Sequence, residues 1–184
     1  MSNLHGKKIA FLATDGFEQS ELEKPWKELG GAGADTHIIS LEEGHIRGFN
    51  HTEKADNFTV DFAIGSVRPD QYDAIVLPGG LHNPDSLRTN EKAIDFVRHF
   101  LQQDKTIAAI CHGPWTLIET GLLKGRRLTS FPSIKTDLKN AGAEWVDEEV
   151  AVDKNLVTSR NPDDIPAFNK AIIDQLSEKA RKSA

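Results

Sequence analysis

The sequence predicts an α/β fold: a mostly parallel sheet covered by helices on both faces. Three observations lead there. Short, mainly apolar runs recur, among them "KIAFLA", "AIVL" and "TIAAI", and strands apolar on both sides belong to sheets buried on both faces. Segments of helical period separate these runs. Glycine-bearing turns join the two kinds of segment, as in repeated strand–helix–strand units.

Taken in order, "KKIAFLA" (7–13) is the first strand. "FEQSELEKPWKELGG" (17–31) is a helix that stops at a glycine pair. "ADTHIISL" (34–41) and "YDAIVLPGG" (72–80) are strands, the latter ending in a sharp turn. "NEKAIDFVRHFLQQDK" (90–105) is the clearest helix: Asn90 can cap it, and Ala93, Ile94, Val97, Phe100 and Leu101 share one face. "TIAAIC" (106–111) is a strand and "GPWTLIETG" (113–121) a short helix. "RRLTS" and "NLVTS" are further strand candidates. The last helix begins near Asp164, with Pro166 in its first turn and Ile165, Phe168, Ile172 and Leu176 on one face. Segment 44–64 breaks the rhythm. It is polar, punctuated by glycine and ends in alternation at Phe58, Val60 and Phe62, which predicts a small antiparallel excursion. The tail 177–184 is expected to fray.

The 184 residues suit one domain spanning 1–184. A net charge of −6 with dispersed basic residues argues against nucleic acid or an anionic membrane as partner. No apolar run reaches the ~20 residues that span a bilayer, and the first residues lack the pattern of a signal peptide. A single cysteine rules out an intramolecular disulfide, and a soluble cytoplasmic protein is expected.

That cysteine, Cys111, stands at the carboxyl end of a strand, where ligands bind in open α/β sheets. His112, Gly113 and Pro114 follow, supplying a small turn residue and a helix starter. A side chain on such a turn projects above the sheet, and the N-terminus of the next helix favours thiolate over thiol. This is the logic of a nucleophile elbow with sulfur in place of oxygen. Other strand ends can serve the same site. Glu18 follows the first strand. "PGG" (78–80) follows the third, and Gly79 and Gly80 allow backbone N–H groups to approach a ligand. His82 and Asp85 come next.

"AICHGPW", "LPGG", "DGFEQSEL" and "TSRNPDD" together make the chain resemble the PfpI family of the DJ-one/PfpI superfamily, over nearly its whole length. The superfamily shares its fold with class I glutamine amidotransferases and includes intracellular proteases, general stress proteins and glyoxalase III or deglycase enzymes. The resemblance implies a flavodoxin-like three-layer sandwich. It implies Cys111 as nucleophile, Glu18 as the carboxyl group hydrogen-bonded to its sulfur, and His112 as the adjacent base. It implies an acid that orients His112 from a neighbouring subunit, a role that falls on Asp85, and hence a homodimer or higher oligomer. The N–H groups of Gly80 and His112 would form the oxyanion pocket, beside Gly79. Gly113 and Trp115 are expected to line the pocket.

A glutaminase needs a histidine well downstream of its cysteine, and here only His112 follows Cys111. His45, His51 and His82 have no metal-ligand spacing, so no metal is expected. His99 lies off the apolar face of its helix and is expected in solvent. His37, in a strand, is expected to be a satisfied core or edge residue.

The expected function is a cofactor-independent enzyme of stress response acting on reactive carbonyls, or on their adducts with proteins. Cys111 attacks a 2-oxoaldehyde, protons move through an enediol, and water releases a 2-hydroxy acid. A carboxyl beside a thiolate should be held protonated. One alternative is an intracellular protease with a Cys111–His112–Asp85 triad. Another is a redox-sensing stress protein or chaperone whose low-pKa Cys111 thiol is oxidised.

Overall fold

The computed structural model describes residues 4–183, with side chains through 178. The strands are β1 (Lys8–Leu12), β2 (Phe17–Glu18), β3 (Asp35–Ser40), β4 (His45–Asn50), β5 (Glu53–Thr59), β6 (Phe62–Ala63), β7 (Ala74–Leu77), β8 (Thr106–Ile110), β9 (Arg127–Leu128), β10 (Glu144–Trp145), β11 (Val150–Asp153) and β12 (Leu156–Ser159). The helices are α1 (Gln19–Gly31), α2 (His82–Arg88), α3 (Glu91–Gln102), α4 (Pro114–Ile118), α5 (Lys135–Asn140) and α6 (Ile165–Ser183). The main sheet has seven strands in the order β11-β12-β8-β7-β1-β3-β6. Every pairing in it is parallel except that of β11 with β12.

The layers follow from the period-two alternation of side chains along a strand. Ile9 and Phe11 of β1 pack with Leu22 and Leu29 of α1 and with Phe168, Ile172 and Leu176 of α6. Ala10 and Leu12 point the other way, into a core with Val97 and Phe100 of α3, Leu117 of α4 and Leu138 of α5. A sheet buried on both faces must be apolar on both sides, as β7 is, as β1 is beyond the exposed Lys8, and as β8 is beyond Thr106. Asn90 caps α3 by accepting from the Ala93 N–H at 3.0 Å.

The 44–64 excursion is the antiparallel β4–β5 hairpin, with β2 added parallel to β4. That pairing draws Phe17 and Glu18 out of the first helix, so α1 starts at Gln19. β6 then returns to the main sheet at its edge. "NLVTS" supplies β12, beside β8. "RRLTS" does not join the main sheet: β9 pairs with β10 in a separate two-stranded ribbon. The slot next to β8 is taken by β12, and Arg126 and Arg127 reach out to Asp153 and Glu148 instead of entering a core. His37 is satisfied, with Nδ1 3.0 Å from the Tyr72 hydroxyl and Nε2 3.2 Å from Asp35. His99 is not freely solvated: its ring meets Phe100 edge-on and its Nε2 is buried. Most of the tail expected to fray lies outside the described residues, although α6 continues to Ser183. No helix of the described residues is long and apolar enough to cross a membrane.

Parallel pairing brings the carboxyl ends of β1, β7, β8 and β12 to one edge of the sheet. The connections that leave those ends carry the residues of the site described next, apart from His51 and Thr52, which come from the β4–β5 turn.

Candidate active site

Cys111 directly follows β8 and has φ +60°, a left-handed conformation that a residue with a Cβ adopts only when its surroundings impose it. The surroundings are hydrogen bonds on both sides: its N–H donates to Ser159 O at 3.0 Å, and its C=O accepts from the Phe131 N–H at 2.8 Å. The turn closes with Gly113 N–H to Ile110 O at 2.8 Å. A Cβ on Gly113 would sit 2.5 Å from Leu77 O, so only glycine lets the elbow pack down onto β7. The sulfur is thereby lifted into a cavity of roughly 410 Å³ lined by Glu18, Glu21, His51, Thr52, Gly80, Leu81, Cys111, His112, Phe131, Ser133 and Pro162.

The sulfur has three kinds of neighbour. The backbone N–H groups of His112 and Gly80 are directed at it and favour its anion. The Glu21 carboxyl interacts with it by hydrogen bond and by charge. The imidazole of His112 places Nδ1 at 3.3 Å. Glu21 is wholly buried at the first turn of α1. Its Oε2 accepts from the Gly79 N–H at 2.7 Å, and its Oε1 has no hydrogen-bond partner among the described residues. A Cβ on Gly79 would come within 2.5 Å of that Oε2 and 2.8 Å of Cys111 Cβ. The missing side chain is what lets carboxyl and thiol share one corner. Asn83, fully buried, holds the same loop: its Nδ2 donates to Pro78 O and Gly79 O, and its Oδ1 accepts from the Thr14 N–H at the end of β1.

Burial pushes the Glu21 carboxyl up to about 8, with the charge of Glu18 adding to the effect. At neutral pH Glu21 holds its proton. Burial also pushes the Cys111 thiol up, followed by repulsion from the Glu21 carboxylate, while the two N–H donors oppose the rise. The thiol is therefore not lowered as the strand end and a following helix had suggested. α4 is only five residues long, and burial outweighs what its N-terminus supplies. A protonated Glu21 removes the repulsion and offers the sulfur a donor in its place. His112 is pushed down by burial, so its ring is neutral and able to accept a proton.

Several expected positions move. Glu18 is not on the sulfur: as the residue before α1 it turns toward the hairpin, and its Oε2 accepts from the His51 N–H at 2.9 Å. Gly79 gives its N–H to Glu21, which leaves Gly80 and His112 as the donors at the sulfur. Gly113 is packed beneath the elbow and does not line the cavity. Trp115 stands behind His112, edge-on at 6.0 Å, with its Nε1–H on Asp137 and the Arg88 guanidinium over its ring. Asp85 is exposed on α2, whose Asn83, Pro84 and Leu87 face inward, and it makes no side-chain hydrogen bond or ion pair among the described residues. Within the chain, the second partner of His112 is Ser133, whose Oγ is 3.0 Å from Nε2. His82 is exposed, its ring 6.2 Å from that of Phe49. Among the described residues no three His, Cys, Asp or Glu side chains gather as metal ligands.

Glu21 and Ser133 were the residues missed. A carboxyl on the buried side of α1, next to Leu22 and four residues before Pro25, was a readable signal for Glu21. Ser133 carries no such mark.

The profile of the DJ-1/PfpI family matches residues 7–175. Protein/nucleic acid deglycase 2 of Escherichia coli is 46% identical over 91% of this chain and 96% of its own length. Deglycase PfpI of Pyrococcus furiosus is 43% identical over 92% of this chain and 99% of its own. Among solved structures, a two-domain protein from Anabaena variabilis with DJ-1/ThiJ/PfpI-like and ferritin-like domains superposes with a TM-score of 0.86 at 36% identity, covering 92% of this chain and 48% of that one.

Proposed function

The chain belongs to the DJ-1/PfpI family, and from that premise we propose that it is a cysteine-dependent deglycase-type enzyme, acting on 2-oxoaldehydes or on their adducts with proteins and nucleotides. The observation that carries the reading is the strained Cys111, with two N–H groups and a protonated carboxyl around its sulfur.

The sulfur attacks the aldehyde carbon, and its proton passes to His112 Nδ1. The Gly80 and His112 N–H groups hold the oxyanion of the resulting hemithioacetal. Once His112 has returned its proton to that oxygen, it takes the proton from the carbon, while Glu21 donates to the neighbouring carbonyl oxygen. The product is an enediol. Reprotonation at the second carbon gives a thioester of a 2-hydroxy acid, and water releases the acid and restores the thiol. One carbon is oxidised and its neighbour reduced, so no outside oxidant or cofactor enters the balance. Starting from an adduct, the same carbon is reached after its bond to the amine breaks.

The protease reading draws on the same thiol–imidazole contact. A cavity of roughly 410 Å³ suits an adducted side chain or a small aldehyde better than an extended peptide. The redox reading required an accessible thiol of low pKa, and Cys111 is buried with its thiol pushed up. We place the enzyme in the cytoplasm, where a lone thiol stays reduced, and as a homodimer or higher oligomer in which Asp85 is available to a second copy.

The test is lactate formation from methylglyoxal and from its N-acetyl-arginine adduct, with labelled casein in parallel. Wild type should form lactate from both, Cys111→Ser none, and casein should stay intact. Casein cleavage without lactate would replace the deglycase reading with the protease.

A further inference from the structure

His112 meets two polar side-chain atoms among the described residues: the Cys111 sulfur at Nδ1 and the Ser133 hydroxyl at Nε2. Its other neighbours are rings. Phe131 stacks on it at 4.8 Å and 23°, and Trp115 meets it edge-on. Rings fix the plane of an imidazole, but they do not decide which nitrogen carries the proton. Ser133 Oγ makes no other hydrogen bond among the described residues. Its place relative to the sulfur is fixed by the chain itself. It lies in a 3₁₀ turn, Pro132–Ile134, anchored by buried Ile134, and the preceding Phe131 N–H is bonded to Cys111 O at 2.8 Å.

We propose that Ser133 is the positioning residue for His112: its oxygen accepts the Nε2–H and so selects the tautomer whose Nδ1 lone pair faces the thiol. This rests on the use of His112 as the base for Cys111.

The other tautomer would aim an N–H at the sulfur and could not take its proton. The step served is a single transfer in which the S–H bond breaks, an Nδ1–H bond forms and the electron pair stays on sulfur. The ring then carries a positive charge, and the Nε2–H that Ser133 already holds becomes a charge-assisted bond, which is stronger. The hydroxyl thus also offsets the cost of charging a buried ring. An acid in this place would add a second negative charge to a pocket that already holds the charge of Glu18, and would oppose ionisation of the thiol. A hydroxyl supplies the acceptor without that repulsion.

The experiment compares wild type, Ser133→Ala and Ser133→Thr. The readouts are the iodoacetamide alkylation rate of the lone thiol from pH 5 to 10 and the imidazole nitrogen shifts of His112. Neither needs a substrate, so failure of the deglycase reading leaves this test intact. Alanine should slow alkylation at neutral pH about threefold to tenfold, the worth of one such hydrogen bond. It should also mix the two tautomers. Threonine should restore both readouts. Unchanged alkylation and nitrogen shifts in Ser133→Ala would overturn the proposal, as would a threonine variant no better than alanine.

Discussion

Cys111 keeps its left-handed backbone because the loops around it have nowhere else to go, and glycines set how closely they meet. A Cβ on Gly80 would lie 2.3 Å from Gly16 O, and the residue has φ +81°. Gly80→Ala should therefore lower stability by about 2 kcal/mol or more through backbone strain and displacement. It should also reduce turnover, since the Gly80 N–H leaves the sulfur. Urea unfolding and lactate formation check the two parts. Glu21 gives a pH dependence with a definite sign. Its folded-state pKa, about 8, lies above its ordinary value of 4.5. The folded chain thus holds a proton that the unfolded chain releases. This contribution is fully present below about pH 4.5, declines as pH rises, and is lost through pH 8. Glu21→Gln should flatten that part of the stability profile, measured as urea midpoints across pH. Two carboxyls three positions apart, Glu18 and Glu21, look alike on a page. What separates them is the β2–β4 pairing, which makes the helix start at Gln19 and turns Glu18 to the hairpin. A long-range contact of that kind is not written in local spacing.

At the scale of elements, Asn83 ties two strand ends together. It is the first buried residue of α2, and it bonds the loop after β1 to the loop after β7. Asn83→Leu keeps the volume but removes the partners of the Thr14 N–H and Pro78 O and leaves Gly79 O with only the long Glu18 N–H bond at 3.4 Å. It should cost about 2–4 kcal/mol and slow turnover several-fold by loosening Gly79 and Gly80, read from urea midpoints and from the rate at saturating substrate. The helices and buried strands were legible because their apolar period is strong, as in α3 with its Asn90 cap. β9 and β10 were not: two-residue strands carry no period. Whether "RRLTS" or "NLVTS" lies beside β8 is settled by long-range pairing: β12 takes the slot, and Leu128 of β9 is buried equally well in the ribbon with β10.

For the whole molecule, the parallel sheet gathers four strand ends at one edge, and this is why residues from positions 18 to 162 share one cavity. The elbow cysteine and the PGG loop were readable from that rule alone. The exposed Asp85 is the point at which one chain ceases to be informative, because its expected role needs a second. If a second copy supplies it, Asp85→Ala should lower turnover severalfold, and the wild-type rate per chain should fall on dilution through the dimer range seen in sedimentation. A rate independent of both would leave Ser133 as the sole orienting group of His112.

The central claim is that the Cys111 sulfur forms the covalent bond to the carbonyl carbon. Intact-protein mass spectrometry after rapid acid quench with methylglyoxal tests it most directly. A carbonyl adduct mapping to Cys111 should appear in wild type, accumulate in Glu21→Gln where proton delivery fails, and be absent from Cys111→Ser. Turnover by Cys111→Ser at the wild-type rate, or turnover by wild type with no adduct on Cys111 in either wild type or Glu21→Gln, would contradict it.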